Sequence, residues 1–100
     1  MNTEQIKNEV MEYVDFHYQS FWYATDDKTI ARHINEELWD GKDLQPGEKV
    51  SDQEIRDVIS SLLSEKKIQI FDWDDEYKGC IINAEVKMAD YAKSHGMVIR

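Results

Sequence analysis

Cysteine occurs once in this chain, at Cys80, so no disulfide can form within it. A solitary cysteine fits a reducing compartment, and at an apolar strand position it reads as a small core residue. Proline also occurs once and glycine four times, which points to regular elements joined by short connections. Long apolar runs are missing: none approaches the roughly 20 residues that a membrane-crossing helix needs. The first residues, MNTEQIKNEV, are polar and charged, so no signal peptide is expected. A cytoplasmic chain with no membrane association follows as the expectation. Basic residues are scarce, 12 against 21 acidic ones, for a net charge of −9. Residues 1–50 carry 5 basic and 11 acidic side chains, and residues 51–100 carry 7 and 10. Neither half is a general nucleic-acid anchor; a surface of this sign attracts basic partners or serves solubility alone.

What is present suits one globular domain spanning residues 1–100. Apolar residues make up 41% and charged residues 33% of the chain, a globular balance. A first helix is expected from Thr3 to about Gln19, capped by Asn2 with Gln5 as the reciprocal partner. Ile6, Val10, Tyr13, Val14 and His17 form its apolar stripe, with His17 packed rather than ligating. Phe21-Trp22-Tyr23 are strand-favouring aromatics, so a short strand is expected at 21–24. A second helix follows from about Asp26 to Trp39, with Thr25 as N-cap and Ile30, Ile34 and Leu38 facing inward. Residues 40–50, DGKDLQPGEKV, read as a loop, with Leu44 and Val50 tucked against the body.

The stretch from Ser51 to Gly79 organises the rest. Ser51 and Glu54 form a capping box ahead of an apolar run. Ile55, Val58, Ile59, Leu62 and Leu63 make a broad stripe on a third helix from Asp52 to about Lys66. A hairpin then runs out through Ile68–Trp73, turns at Asp74–Gly79 and returns through Cys80-Ile81-Ile82, with Trp73 and Tyr77 facing each other at its end. A short C-terminal helix is expected from Ala84 to His95, capped near Asn83. Gly96 would close it, and the apolar Met97-Val98-Ile99 end is a strand or a dimer contact.

The order helix, short strand, helix, helix, strand, wing, strand over about residues 5–83 resembles the winged helix-turn-helix superfamily. Asp26-Asp27-Lys28-Thr29-Ile30-Ala31 followed by Ile34 looks like the first helix of the helix-turn-helix. Ile55, Val58, Leu62, Leu63 and Ile68 look like the recognition helix and its exit into the wing. Two features depart from the pattern: a long turn between the second and third helices, and Lys66-Lys67 where a glycine is common. The resemblance implies an α+β, winged-helix-like fold: a three-helix core with a short strand, a two-stranded hairpin wing and a short C-terminal helix. By default it also implies DNA binding, with Gln53 and Arg56 reading base edges and Arg32, Lys66 and Lys67 meeting phosphate.

The charges oppose that default. The exposed side of the third helix carries Asp52 and Asp57 beside Gln53 and Arg56, and the wing carries Asp72, Asp74, Asp75 and Glu76 against Lys78. Phosphate contacts supply most nonspecific affinity for DNA, and an acidic wing cannot make them. The favoured expectation is therefore a small acidic, non-enzymatic module that binds a protein through Asp52, Asp57, Asp72, Asp74, Asp75 and Glu76. Its partner would present a basic surface, and a DNA-mimicking inhibitor of the kind phages encode is one version. The alternative is a winged-helix transcriptional regulator that binds DNA as a homodimer. Asp72-x-Asp74-x-Glu76 does not make a calcium loop, because the positions that need Gly and Glu hold Tyr77 and Asn83. His17, His33, His95 and Cys80 lack zinc spacing. No nucleophile motif or phosphate-cradling glycine loop is present, so neither a cofactor nor a metal is expected.

Overall fold

The computed structural model of the chain describes residues 2–21, 24–37, 50–72 and 78–94. It is an α+β arrangement of helices against a two-stranded antiparallel sheet. Helix α1 spans Thr3–Phe21. Its start follows the expected cap: the Gln5 N–H donates to Asn2 Oδ1, and the Asn2 N–H donates back to Gln5 Oε1, at 2.9 and 2.8 Å. Two of the helix's otherwise orphaned donor groups are thereby satisfied. Ile6, Val10, Tyr13, Val14 and His17 are all buried along one face. Each apolar member stabilises by roughly 1.5–3 kcal/mol relative to exposure.

The segment after α1 departs from the expected strand at 21–24. Phe21 is the last residue of α1, and the extended pairing falls one residue beyond the expected span, at Thr25. The Ile81 N–H donates to the Thr25 carbonyl at 2.6 Å, an isolated antiparallel bridge. Because Thr25 is committed to that bridge, the cap of the next helix passes to Asp26. Asp26 is extended (φ −131°, ψ 173°), and its carboxylate accepts the Thr29 N–H at 2.7 Å.

Helix α2 spans Asp27–Arg32 and passes directly into a π-helical turn, His33–Glu37. The sequence pattern predicts an uninterrupted α-helix to Trp39; the structure instead widens the helix at His33, and Leu38 to Asp40 lie outside the described residues. Contacts to α1 and to Val50 accompany the widened turn. The His33 ring stacks on Tyr13 at 4.1 Å between centroids and 9° between planes. Asn35 reaches Val50, donating to its carbonyl at 2.7 Å and accepting its N–H at 2.8 Å. Val50 is buried, as expected; the rest of the 40–50 loop, Leu44 included, lies outside the described residues.

Helix α3 spans Asp52–Ser64, two residues short of the expected end. Ser51 Oγ accepts the Glu54 N–H at 3.1 Å, while the Glu54 carboxylate accepts from the Ser51 hydroxyl at 3.3 Å. Ile55, Val58, Ile59 and Leu62 are buried, and Leu63 is half-buried against the core. The helix stops because Lys66 adopts the left-handed conformation (φ 58°). The Lys66 N–H then bonds the Leu63 carbonyl and the Lys67 N–H bonds the Leu62 carbonyl, each at 3.0 Å. This pair of bonds is the Schellman closure, with lysine where glycine is usual.

Strand β1, Ile68–Phe71, pairs antiparallel with β2, Cys80–Asn83, in the register Ile68↔Asn83 through Phe71↔Cys80. Cys80, Ile81 and Ile82 are buried, Cys80 as the expected core thiol. The hairpin mouth is held by Asp72, whose carboxylate accepts the Gly79 N–H at 2.9 Å; Gly79 sits at φ 66°. Trp73 to Tyr77, the expected wing tip, lie outside the described residues.

The last helix, α4, spans Met88–Ser94 and begins later than the expected Ala84. Asn83 makes a corner instead of capping a helix. Its Oδ1 accepts the Glu85 N–H and its carbonyl accepts the Val86 N–H, while its amide donates to Asp15 on α1 at 2.9 Å. Gln69 braces the same corner, donating to the carbonyls of Asn83 and Val86. Tyr91 docks α4, with its ring 5.7 Å from Tyr18 and 5.8 Å from Phe71. His95, Gly96 and the apolar C-terminal end lie outside the described residues.

Candidate interaction surface on helix three and the hairpin

The solvent-facing side of α2, α3 and the hairpin carries the residues singled out from the sequence, and the fold sorts them into separate groups. Arg32 and Arg56 come together. With Lys28 they line a cavity of about 250 Å³ between α2 and α3. Asp27, Glu36 and Asp52 line the same cavity, with Ala31, Asn35 and Ile55 completing the wall. Three carboxylates therefore stand among the three cations, and the lining is charge-balanced rather than basic.

Gln53 is turned to a neighbour. Its amide donates to Asp57 at 2.9 Å one helical turn along, an (i, i+4) pair on the exposed face. Reading a base edge would require that bond to be given up. Asp52 and Asp57 are both exposed. Lys66 and Lys67 lie beyond the C-terminal end of α3, away from Arg32 and Arg56. Lys67 Nζ sits 3.3 Å from Glu65, which also binds Lys7 of α1. The hydrogen bond to Lys7 is the main reason the Glu65 carboxyl titrates below the ordinary glutamate value, with Lys67 adding to it. The same bond raises Lys7. The five residues of the DNA-reading expectation therefore do not form one stripe.

A second cavity, of about 300 Å³, adjoins the first and shares Asp27 and Arg56 with it. It lies between α3 and the hairpin, and Ile59, Leu63, Ile70 and Ile81 supply its apolar floor. Ile70 is 42% exposed, although it shares a strand face with the buried Ile68. The alternation of strand side chains predicts that the two point the same way. It does not predict that only the first of them is buried. Of the acidic wing set, Asp72 is exposed and stands at the hairpin mouth; Asp74, Asp75 and Glu76 lie outside the described residues.

Sequence reasoning missed Asn35 and Ile70. Asn35 carries no motif, and its role depends on a backbone segment 15 residues away. Ile70 reads as core by its pattern alone. Among the described residues, no three His, Cys, Asp or Glu side chains gather as a metal site, and no helix is long and apolar enough to cross a membrane. No family model, curated protein or solved structure matches the chain.

Proposed function

We propose that this chain is a small, acidic, non-enzymatic interaction module that uses a winged-helix-like scaffold to bind a protein presenting a basic surface. The order α1, bridge at Thr25, α2, α3, hairpin supports the scaffold reading, with Thr25 on the β2 side of the hairpin as a residual third strand. One observation carries the functional reading. Where a DNA-reading protein needs cations on its third helix and wing, this face offers Asp57 bonded to Gln53 and an exposed Asp72 at the hairpin mouth. Phosphate would meet negative charge and an exposed isoleucine there, whereas a basic protein surface would meet complementary charge. A DNA-mimicking inhibitor is one form of this activity.

The test is capture of a partner from host extract on the immobilised chain, repeated with Asp57, Asp72, Asp74, Asp75 and Glu76 changed to Lys. The partner should be lost from the variant while its thermal unfolding remains cooperative. Undiminished capture by the charge-reversed chain would reject the reading.

The second reading is a winged-helix regulator that binds DNA as a dimer. The convergence of Lys28, Arg32 and Arg56 on one cavity favours it. A mobility shift on duplex DNA at low salt, where electrostatics favour binding most, separates the two, and none is expected.

A further inference from the structure

We infer that the apolar groove between α3 and the hairpin takes an aliphatic side chain of a basic peptide segment. This inference deepens the proposed interaction and rests on it. The groove has a floor of Ile59, Leu63, Ile70 and Ile81 and a wall of Asp27 and Arg56. Its volume of about 300 Å³ is at the lower bound of small-molecule pockets, roughly 300–1,000 Å³. It is open along one side, the proportions of a seat for one or two side chains. Ile70 is the most exposed part of that floor. A large aliphatic residue on a strand, 42% exposed beside a half-buried Leu63, leaves apolar area in water that an inserted side chain would cover.

The carboxylates around the groove, Asp27 on its wall with Asp57 and Asp72 beyond it, outnumber the one cation on the wall, Arg56, and select the occupant. Asp57 stands on the exposed ridge of α3, one turn from Ser60, which lines the groove, and Asp72 stands at the opposite rim, holding the Gly79 N–H that helps line it. An aliphatic residue flanked by Lys or Arg would place its side chain on the floor and its cations against these two carboxylates. A second copy of this chain fits poorly. Two-fold pairing sets the same patch against itself, bringing two acidic rims together in a chain of net charge −9. A duplex backbone fits worse, since phosphate would sit on Ile70 between two carboxylates.

The probe is a short synthetic peptide with two leucines set among lysines, titrated into the full chain at low salt and followed by amide chemical shifts. The expected result is saturable displacement of the Leu63, Ile70 and Gly79 signals. Replacing the leucines by serine, or making Ile70→Ser in the protein, should weaken binding about tenfold or more, as loss of one buried aliphatic anchor implies. Ile70 is exposed, so that variant should fold, which its own amide spectrum would verify. Replacing the lysines by glutamate should remove binding.

Equal affinity for the leucine and serine peptides would overturn the groove while leaving a basic-surface partner intact. Failure of the charge-reversed chain to lose its captured partner would instead strike the interaction reading. No binding of the lysine-leucine peptide would overturn the proposal, as would a homodimer in sedimentation that Ile70→Ser dissolves.

Discussion

Asn35 and Val50 grip each other at two points, the asparagine amide acting as both donor and acceptor to one residue's backbone. The pair spans the long connection between the second and third helices and fixes where α3 begins. Asn35→Ala should cost about 1.5–3 kcal/mol, because it removes two hydrogen bonds and strands the backbone groups of a buried residue. Asn35→Asp should also destabilise, since a carboxylate cannot donate to the Val50 carbonyl. Urea unfolding of both variants checks this, and an alanine variant as stable as the parent would refute it.

Lys66 holds a left-handed backbone conformation that costs a side-chain-bearing residue roughly 1–2 kcal/mol. Glycine adopts it without that penalty, although its freer unfolded chain offsets part of the gain. Lys66→Gly should therefore stabilise by about 0.5–1 kcal/mol, while Lys66→Ala should change little. The comparison isolates backbone strain from loss of charge.

Thr25 Oγ1 is buried and has no hydrogen-bond partner among the described residues. Its carbonyl does the bridging work with Ile81. Thr25→Val keeps the branched shape and removes the stranded hydroxyl, so it should raise stability by about 1 kcal/mol. A fall in the denaturation midpoint would show that the hydroxyl is bonded in solution.

Lys7, Glu65 and Lys67 form a surface ion cluster joining α1 to the end of α3. Glu65 is lowered, chiefly by its hydrogen bond to Lys7, so its contribution is present above the unfolded carboxyl value and disappears as pH falls through the folded one. Lys7 is raised by the same bond, so its contribution holds below the unfolded amine value and disappears as pH rises through the folded one. The cluster therefore supports the fold across the neutral range. In Lys7→Met, a carboxyl-detected titration should show the Glu65 midpoint moving up towards an ordinary glutamate.

Tyr91 is raised by its burial, with the Ala24 backbone pulling the other way. Its phenol should ionise later than an exposed tyrosine in an ultraviolet titration. The stability linked to it should decline only as pH rises past the ordinary phenol value.

The parts of this fold that were legible in the sequence are those decided within one helical turn. The Asn2–Gln5 and Ser51–Glu54 caps, and the stripes from Ile6 to His17 and Ile55 to Leu62, depend on spacing alone. The misreadings share one cause. Thr25 looks like a cap until Ile81 claims its carbonyl, Asn83 looks like a cap until Asp15 holds its amide and its Oδ1 turns to Glu85, and the π turn at His33 sits between Tyr13 and the Asn35–Val50 clasp. Each is settled by a partner far along the chain that periodicity cannot show. The candidate surface divides the same way: the acidic character of α3 was visible, whereas the pairing of Gln53 with Asp57, the parting of Lys66 and Lys67 from Arg32, and the exposure of Ile70 required the packing of α3 on the hairpin.

The long-range ties of α1 also bear on how the chain reaches this state. Lys7 meets Glu65 and Asp15 meets Asn83 across separations of 58 and 68 residues. Such contacts form only after large loops have closed, and the entropy of closure comes before any reward. Though rich in helix, the chain should consequently fold more slowly than a bundle built from neighbouring helices.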